Sequence, residues 1–247
     1  MKDNFSENAS AYSKYRPVYP SELYDFLLSL VAEKVTAWDC GCGNGQVAAV
    51  LAQRFKNVEA TDISQQQLDH AFRKANIRYQ LAKAEQSGLP SASVDLITVA
   101  QAIHWFDIDG FYKEVYRVGK PGSIIAVWCY SLLSVNREVD EIINHLYADT
   151  LGNKYWDVER HYIDDKYQTI PFPFAEIKAP SFSINVRWNV DHLLGYLSSW
   201  SAVQHYIKRN GVDPVSLLSD ELKKAWGDET NLEVQFPLFT RIGRIVL

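Results

Sequence analysis

Trp38-Asp39-Cys40-Gly41-Cys42-Gly43-Asn44-Gly45 decides how the chain is read. It follows a short apolar run, Val35 to Asp39, and precedes Val47, Val50, Leu51 and Phe55, which fall at helical spacing. A glycine loop between a strand and a helix lets a ligand approach the backbone closely. The helix beyond it presents free N–H groups. Asp62 closes the next apolar run, Val58 to Asp62, twenty-one positions after Gly41. An acidic residue at about that distance accepts hydrogen bonds from ribose hydroxyls.

Outward from the loop, helical and strand patterns alternate. Leu23, Phe26, Leu27, Leu30 and Val31 mark an amphipathic helix before it. Ser64 with Gln67 three positions on is a capping-box signature and predicts a helix through Ala75. Ile77 to Leu81, Val94 to Ala100 and Ser123 to Tyr130 are further strand candidates, the last after the turn Lys120-Pro121-Gly122. Phe111, Val115 and Val118 mark the helix between the last two. Near-continuous apolar strands separated by helices predict a parallel sheet covered on both faces. Beyond Tyr130 the alternation stops. A helix near 137–149, an aromatic-rich loop, a strand over Ile177 to Trp188, a helical face at Leu193, Leu197 and Trp200, and one or two strands over Leu232 to Leu247 are expected there.

The composition excludes several classes. The 247 residues are 47% hydrophobic and 22% charged, with 12 glycines and 9 prolines, so neither a disordered nor a collagen-like chain is expected. A net charge of −5 with 25 Lys+Arg offers no strong field for nucleic acid or an anionic membrane. Three cysteines, Cys40, Cys42 and Cys129, build no disulfide framework and point to a reducing compartment. No second cysteine pair or nearby histidine completes a zinc set, so no metal is expected. The N-terminus lacks a signal-peptide run, and Ile124 to Tyr130 is far shorter than the roughly 18 apolar residues of a membrane span. A cytoplasmic protein with no membrane partner is expected.

Two cofactors suit a glycine loop followed by an acid. In the dinucleotide fingerprint G-x-G-x-x-G the third position falls on Gln46, whereas the glycine here is Gly45. Asp39, at the strand end, would repel a pyrophosphate and attract an ammonium group. S-adenosylmethionine carries an ammonium, a sulfonium and an adenosine but no phosphate, so the charge logic favours it.

The motif series resembles the class I S-adenosylmethionine-dependent methyltransferases. It consists of Asp39-x-Gly41-x-Gly43-x-Gly45, then Asp62, Ala84-Glu85-x-x-x-Leu89-Pro90, and Val94-Asp95-Leu96-Ile97-x-x-x-Gln101-Ala102-Ile103-His104-Trp105-Phe106. The N-terminal Phe5-x-x-x-Ala9-x-x-Tyr12-x-x-x-Arg16-Pro17-x-Tyr19-Pro20 and Ser199-Trp200-Ser201-Ala202 resemble the small-molecule branch that includes trans-aconitate methyltransferase. The resemblance implies an α/β, Rossmann-like fold with a mostly parallel seven-stranded sheet, helices on both faces and an inserted lid. It implies one domain over 1–247, with a core at about 21–130 plus 232–247 and a lid from about 1–20 and 131–230.

Residue by residue, the resemblance implies that Gly41, Gly43 and Gly45 cradle the methionine part and Asp39 faces its ammonium. Asp62 holds the ribose, Ile63 packs beside the adenine, Ala84 and Glu85 border its edge, and Gln101 lies beside the sulfonium. Lys83 stands where many relatives have aspartate, which removes one carboxylate bond to the adenine. Tyr12, Tyr15 and Arg16 form either a flap over the cofactor or an ordinary N-terminal helix. His104 is either a general base or hydrogen-bond partner for the acceptor, or a packed histidine that caps a helix. Cys40, Cys42 and Cys129 read as space-filling residues. The expected reaction is methyl transfer to a small molecule through an oxygen, a carboxylate being the favoured acceptor, with S-adenosylhomocysteine as product. A cofactor-binding protein without transfer activity, an NAD-dependent oxidoreductase and a nucleic-acid methyltransferase are the alternatives. The last lacks both a basic stripe and a base-flipping segment.

Overall fold

A computed structural model describes residues 15–246. Tyr12 and the rest of the N-terminal motif before Tyr15 lie outside the described residues.

The strand that leads into the glycine loop and its neighbour over 94–100 are buried almost throughout, and they occupy the middle of the sheet. Five strands are parallel: β1 Thr36–Cys40, β2 Asn57–Asp62, β3 Ile77–Leu81, β4 Val94–Ala100 and β5 Gly119–Tyr130. They lie in the order β3-β2-β1-β4-β5. Four helices connect or precede them: α1 Ser21–Leu30, α2 Gln46–Leu51, α3 Gln65–Asp69 and α4 Ile108–Val118. Alternation along β4 and β5 then divides the core in two. Leu96, Ile124, Ala126 and Trp128 pack with Leu23, Leu27 and Leu51 on one face. Ile97, Val99, Ile125 and Val127 pack with Trp38, Phe111 and Val115 on the other.

The sheet has eight strands rather than seven. β6 Ala175–Glu176 and β7 Phe182–Trp188 both pair antiparallel with β8 Leu232–Arg244, which itself runs antiparallel to β5. β6 meets Arg244 and Gly243, and β7 meets Leu238 to Leu232, so the two lie end to end along one side of β8. The gap between them contains Pro180, which has no N–H to give to a ladder. The strand expected from Ile177 therefore begins at Phe182.

The helix expected through Ala75 stops at Asp69. Ser64 caps it as predicted, its Oγ accepting the Gln67 N–H at 3.3 Å. The chain is then drawn back to the glycine loop, where the Phe72 N–H donates to the Asn44 carbonyl (3.1 Å). The Tyr79 hydroxyl fixes Phe72 from the other side at 2.7 Å. Between β5 and β8 lie α5 Arg137–His145, a wide turn over Leu146–Leu151, α6 Gly152–Tyr155, a tight turn at Val158–Arg160 and α7 His161–Asp164. After β7 come α8 Val190–Ser198, α9 Ser201–Asn210, α10 Pro214–Leu217 and α11 Ser219–Trp226. Their apolar faces, through Val139, Ile143, Leu193, Leu197, Trp200 and Leu222, join the same cluster as α1 and Trp128. No described helix is long and apolar enough to cross a membrane.

Candidate active site

The loop after β1 is fastened to the end of β2. The Gly41 and Cys42 N–H groups both donate to the Thr61 carbonyl, at 2.8 and 3.0 Å. The Asp62 carboxylate accepts the Gly43 N–H on Oδ2 (2.8 Å) and the Ser64 N–H on Oδ1 (2.9 Å). Asp62 is thereby oriented before any ligand reaches it. The backbone at Gly43 adopts φ +53°, and a Cβ there would come no closer to another atom than 3.8 Å. Gly41 and Gly45 differ from it: a Cβ would lie 2.6 Å from Ala102 Cβ and 2.1 Å from Tyr79 Oη respectively. Two glycines thus serve packing, and Gly43 faces open space.

Asp39 occupies a different environment from the one its position suggests. It is 1% exposed. Its Oδ2 accepts the Ala48 N–H in the first turn of α2 (3.0 Å), and its Oδ1 accepts the Thr98 hydroxyl of β4 (2.9 Å). Burial pushes its carboxyl up to about 7 against these two hydrogen bonds, which pull the other way. The carboxyl ties the loop helix to β4. A ligand in the loop would feel it as a buried charge behind the glycines.

The second ledge follows β3. Ala84 is buried and Ile63 half-buried. Glu85 Oε1 accepts the Asp107 N–H at 2.8 Å, which commits that side chain to the start of α4. Nearby, the buried Glu114 accepts both the N–H and the hydroxyl of Ser87 (2.8 and 2.5 Å) and two donors of Arg117, each at 2.7 Å. These contacts hold the segment after β3 against α4. Lys83 is exposed and bridges to Gln86.

Gln101 ends β4 with φ +55°, a sparsely populated conformation for a residue with a Cβ and one that recurs at functional sites. Its N–H donates to the Trp128 carbonyl and its Nε2 to the Tyr130 carbonyl (2.9 and 3.3 Å). Its buried Oε1 has no partner among the described residues. It lines a cavity of ≈ 60 Å³ together with Arg16, His104, Tyr130, Arg160 and Tyr196. Trp105, Trp156 and Trp200 add aromatic walls.

Two arginines reach this cavity from different parts of the chain. Arg16 Nη1 donates to the Tyr130 hydroxyl (3.0 Å), and its guanidinium carbon lies 5.3 Å from the Tyr196 ring centroid. The Arg160 guanidinium lies 4.8 Å from the Trp156 ring and 5.4 Å from that of Tyr147, with Asp164 Oδ1 3.5 Å from its Nε. His104 is 6% exposed, and its Nδ1 shares a 2.8 Å hydrogen bond with the Tyr167 hydroxyl. Burial, then the Arg160 charge, lowers the imidazole to about 3. His104 is therefore neutral at physiological pH and a feeble base.

The sequence reading brings the glycine loop, Asp62, Gln101, Arg16 and His104 to one end of the sheet. It does not single out Arg160, Tyr167, Thr98 or Glu114. Arg160 carries a weak signal, a cation four positions after Trp156 within an aromatic stretch. Tyr167 carries none, because its place beside His104 depends on a turn in which Lys166 and Tyr167 both take positive φ. Cys40, Cys42 and Cys129 are free thiols, with burial raising all three.

A protein-family profile described as a methyltransferase domain matches residues 38–127. A protein of Dictyostelium discoideum with a provisional methyltransferase designation is 36% identical over 249 residues, covering 98% of this chain and 95% of that one. A Mycobacterium tuberculosis methyltransferase of uncharacterised specificity is 34% identical over 174 residues, 66% of this chain and 70% of its own. Among solved structures, one from Anaeromyxobacter dehalogenans, described as a type II methyltransferase, superposes with a TM-score of 0.87 at 42% identity. It covers 94% of this chain and 99% of its own.

Proposed function

Because the chain belongs to the class I methyltransferase family and is an S-adenosylmethionine-dependent enzyme, we propose that it transfers the methyl group to a small acceptor through an oxygen that is already ionised, a carboxylate. The observation that carries this reading is the cavity at Gln101, with two guanidinium groups on its wall beside a histidine too weakly basic to remove a proton. Efficient general bases have values near the working pH. An alcohol or phenol needs such a base, whereas a carboxylate does not. The resemblance of the N-terminal motif to the trans-aconitate methyltransferase branch supports the same acceptor class.

The residues present fit the cofactor. Open space beside Gly43, a preoriented Asp62 and the Gln101 Oε1, unpartnered among the described residues, suit a ligand with ribose hydroxyls and a positive centre. Gly43, Asp62, Ile63 and Ala84 would hold it, with the buried Asp39 favouring its ammonium from behind. When bound, the cofactor supplies a methyl group activated on sulfonium whose leaving group is a neutral thioether.

The chain's own task is alignment and exclusion of water. Arg16 and Arg160 hold the acceptor's carboxylate, since guanidinium donors match that geometry. Gln101 Oε1 faces the positive centre, and the strain at its backbone keeps it there. His104, fixed by Tyr167, offers one ring nitrogen to the acceptor. Trp105, Trp156 and Trp200 exclude water, and residues from 131 to 230, with Arg16 and Tyr15, act as the lid over the site. Orientation of this kind supplies up to about 7–11 kcal/mol in well-aligned reactions.

Assays with labelled cofactor against carboxylic acids, their primary amides and the matching alcohols test the proposal. Only the acids should take label, and label on alcohols or amides would refute it. At saturating cofactor, turnover should show no inflection from the acceptor or His104 between about pH 6 and 9, because neither titrates there, and the Asp39 carboxyl near 7 should act on cofactor affinity instead. His104→Ala should leave S-adenosylhomocysteine affinity unchanged and reduce turnover about tenfold or less, below the roughly 10²–10⁴-fold that loss of a general base costs. A neutral-pH inflection that disappears in this variant would establish His104 as a base.

A further inference from the structure

The cavity at Gln101 takes only the end of an elongated acceptor. At ≈ 60 Å³ it has room for about four to six water-sized groups, a carboxylate and a few carbons, since one such group needs about 10–15 Å³ of this space. A second, outer cavity of ≈ 630 Å³ adjoins it. The two share Trp156, Asp157 and Arg160 as a common wall. The Arg160 side chain is the partition. Its guanidinium lies over the Trp156 ring, and its Nε donates to the Tyr147 hydroxyl at 3.1 Å.

The outer cavity has its own character. Tyr147 and Trp156 supply ring surface, and Ala148 and Gly152 leave the space beside them open. Asp157 and Asp164 stand on its wall against the single cation Arg160. Asp157 and Arg160 face both cavities, so two carboxylates against one guanidinium disfavour a second negative charge in the outer cavity, whereas two guanidiniums, Arg16 and Arg160, against one carboxylate favour one in the inner cavity. The charge asymmetry sorts an acceptor end from a body end.

We propose that the acceptor is an elongated monocarboxylic acid with an uncharged, partly apolar body: its carboxylate enters the inner cavity past Arg160 and its body stays in the outer cavity against Tyr147 and Trp156. The inference rests on the acid-acceptor reading and adds to it the acceptor's length and single charge. Arg160 becomes the specificity-determining residue, because it touches the carboxylate from one side and the body from the other. Ala148 touches only the body.

Calorimetry on the full chain saturated with S-adenosylhomocysteine tests this, with acetate, phenylacetate, 4-phenylbutyrate and 6-phenylhexanoate as probes and suberate as the doubly charged control. Affinity should rise about threefold or more per added methylene, as expected when methylenes leave water, and suberate should bind no better than acetate. Ala148→Trp, which fills the outer cavity from an exposed position, should abolish the gain for the two longest acids while leaving acetate and S-adenosylhomocysteine affinities within twofold. Asn153→Trp, on the same wall, should do likewise and guards against a folding defect in the first variant. If acetate binds but length brings no gain, or neither tryptophan variant removes the gain, the elongated-acid proposal is wrong while the acid-acceptor reading stands. If suberate gains as much as 4-phenylbutyrate, the single-charge part is wrong. If no acid binds at any length, the acid-acceptor reading itself fails.

Discussion

Asp39 illustrates how burial and charge compete within one residue. Its two hydrogen bonds favour the ionised form, and complete burial opposes it more strongly, leaving the carboxyl at about 7. An unfolded aspartate titrates near 3.9. The native state therefore holds a proton that the unfolded chain has lost across the interval between. The resulting stability is fully present below about pH 4 and falls away as pH rises toward about 7, by up to roughly 1.4 kcal/mol per unit. Asp39→Asn should flatten that slope, because its amide can accept from Ala48 and donate to the Thr98 hydroxyl. Denaturant midpoints of both proteins from pH 4 to 8 check it, and parallel curves would contradict the assignment. Asp62 is the opposite case, a half-exposed carboxylate already held by two backbone donors. Asp62→Ala should weaken S-adenosylhomocysteine binding by about 1.5–3 kcal/mol, the range for hydrogen bonds to a charged group. Equal affinity in a folded variant would remove Asp62 from the site. Both acids are legible in the sequence from their spacing to the glycines. Burial separates them: Asp39 is enclosed, whereas Asp62 is partly exposed.

At the scale of elements, the ledge after β3 depends on α4 for its position. Burial tends to raise Glu114, but Arg117 and Ser87 overcome it and hold the carboxyl below its ordinary range. That contribution is present above the ordinary carboxylate range and is lost as pH falls through Glu114's depressed native value. Glu114→Gln should cost about 2 kcal/mol in stability, since the hydrogen bonds lost are charge-assisted. It should also weaken cofactor affinity severalfold by loosening residues 83–87, and a titration of the variant with S-adenosylhomocysteine measures this. Nothing in the sequence pairs Ser87 with Glu114, because the contact spans 27 positions and an intervening strand. The same distinction explains the two element-level differences. The cap at Ser64 is local and is legible, whereas the early end of α3 is set by Phe72 reaching Asn44, a non-local bond. β8 is legible as a strand, but the division of its neighbour into β6 and β7 depends on how Pro180 meets the ladder.

Across the whole molecule, the parallel half of the sheet is read correctly because its strands are buried on both faces and its loop carries a spaced motif. The segment from 131 to 230 is harder to read because its aromatic residues are shared among core, cavity wall and partition. Trp128 fills the core, Trp200 belongs to the core and also walls the cavity, Trp156 stacks on Arg160, and only contacts distinguish them. The cavity itself is assembled from five regions far apart in sequence, around Arg16, Gln101, Tyr130, Arg160 and Tyr196. The central claim is that this assembly delivers a methyl group to a preformed carboxylate. It is tested most directly by incubating the enzyme with methyl-labelled cofactor and a mixed pool of small organic acids, then treating the products with mild alkali. A methyl ester hydrolyses to methanol, so the account predicts that the transferred label becomes volatile. Label that stays on a non-volatile product through the same treatment would mark an ether, amine or carbon acceptor and contradict it.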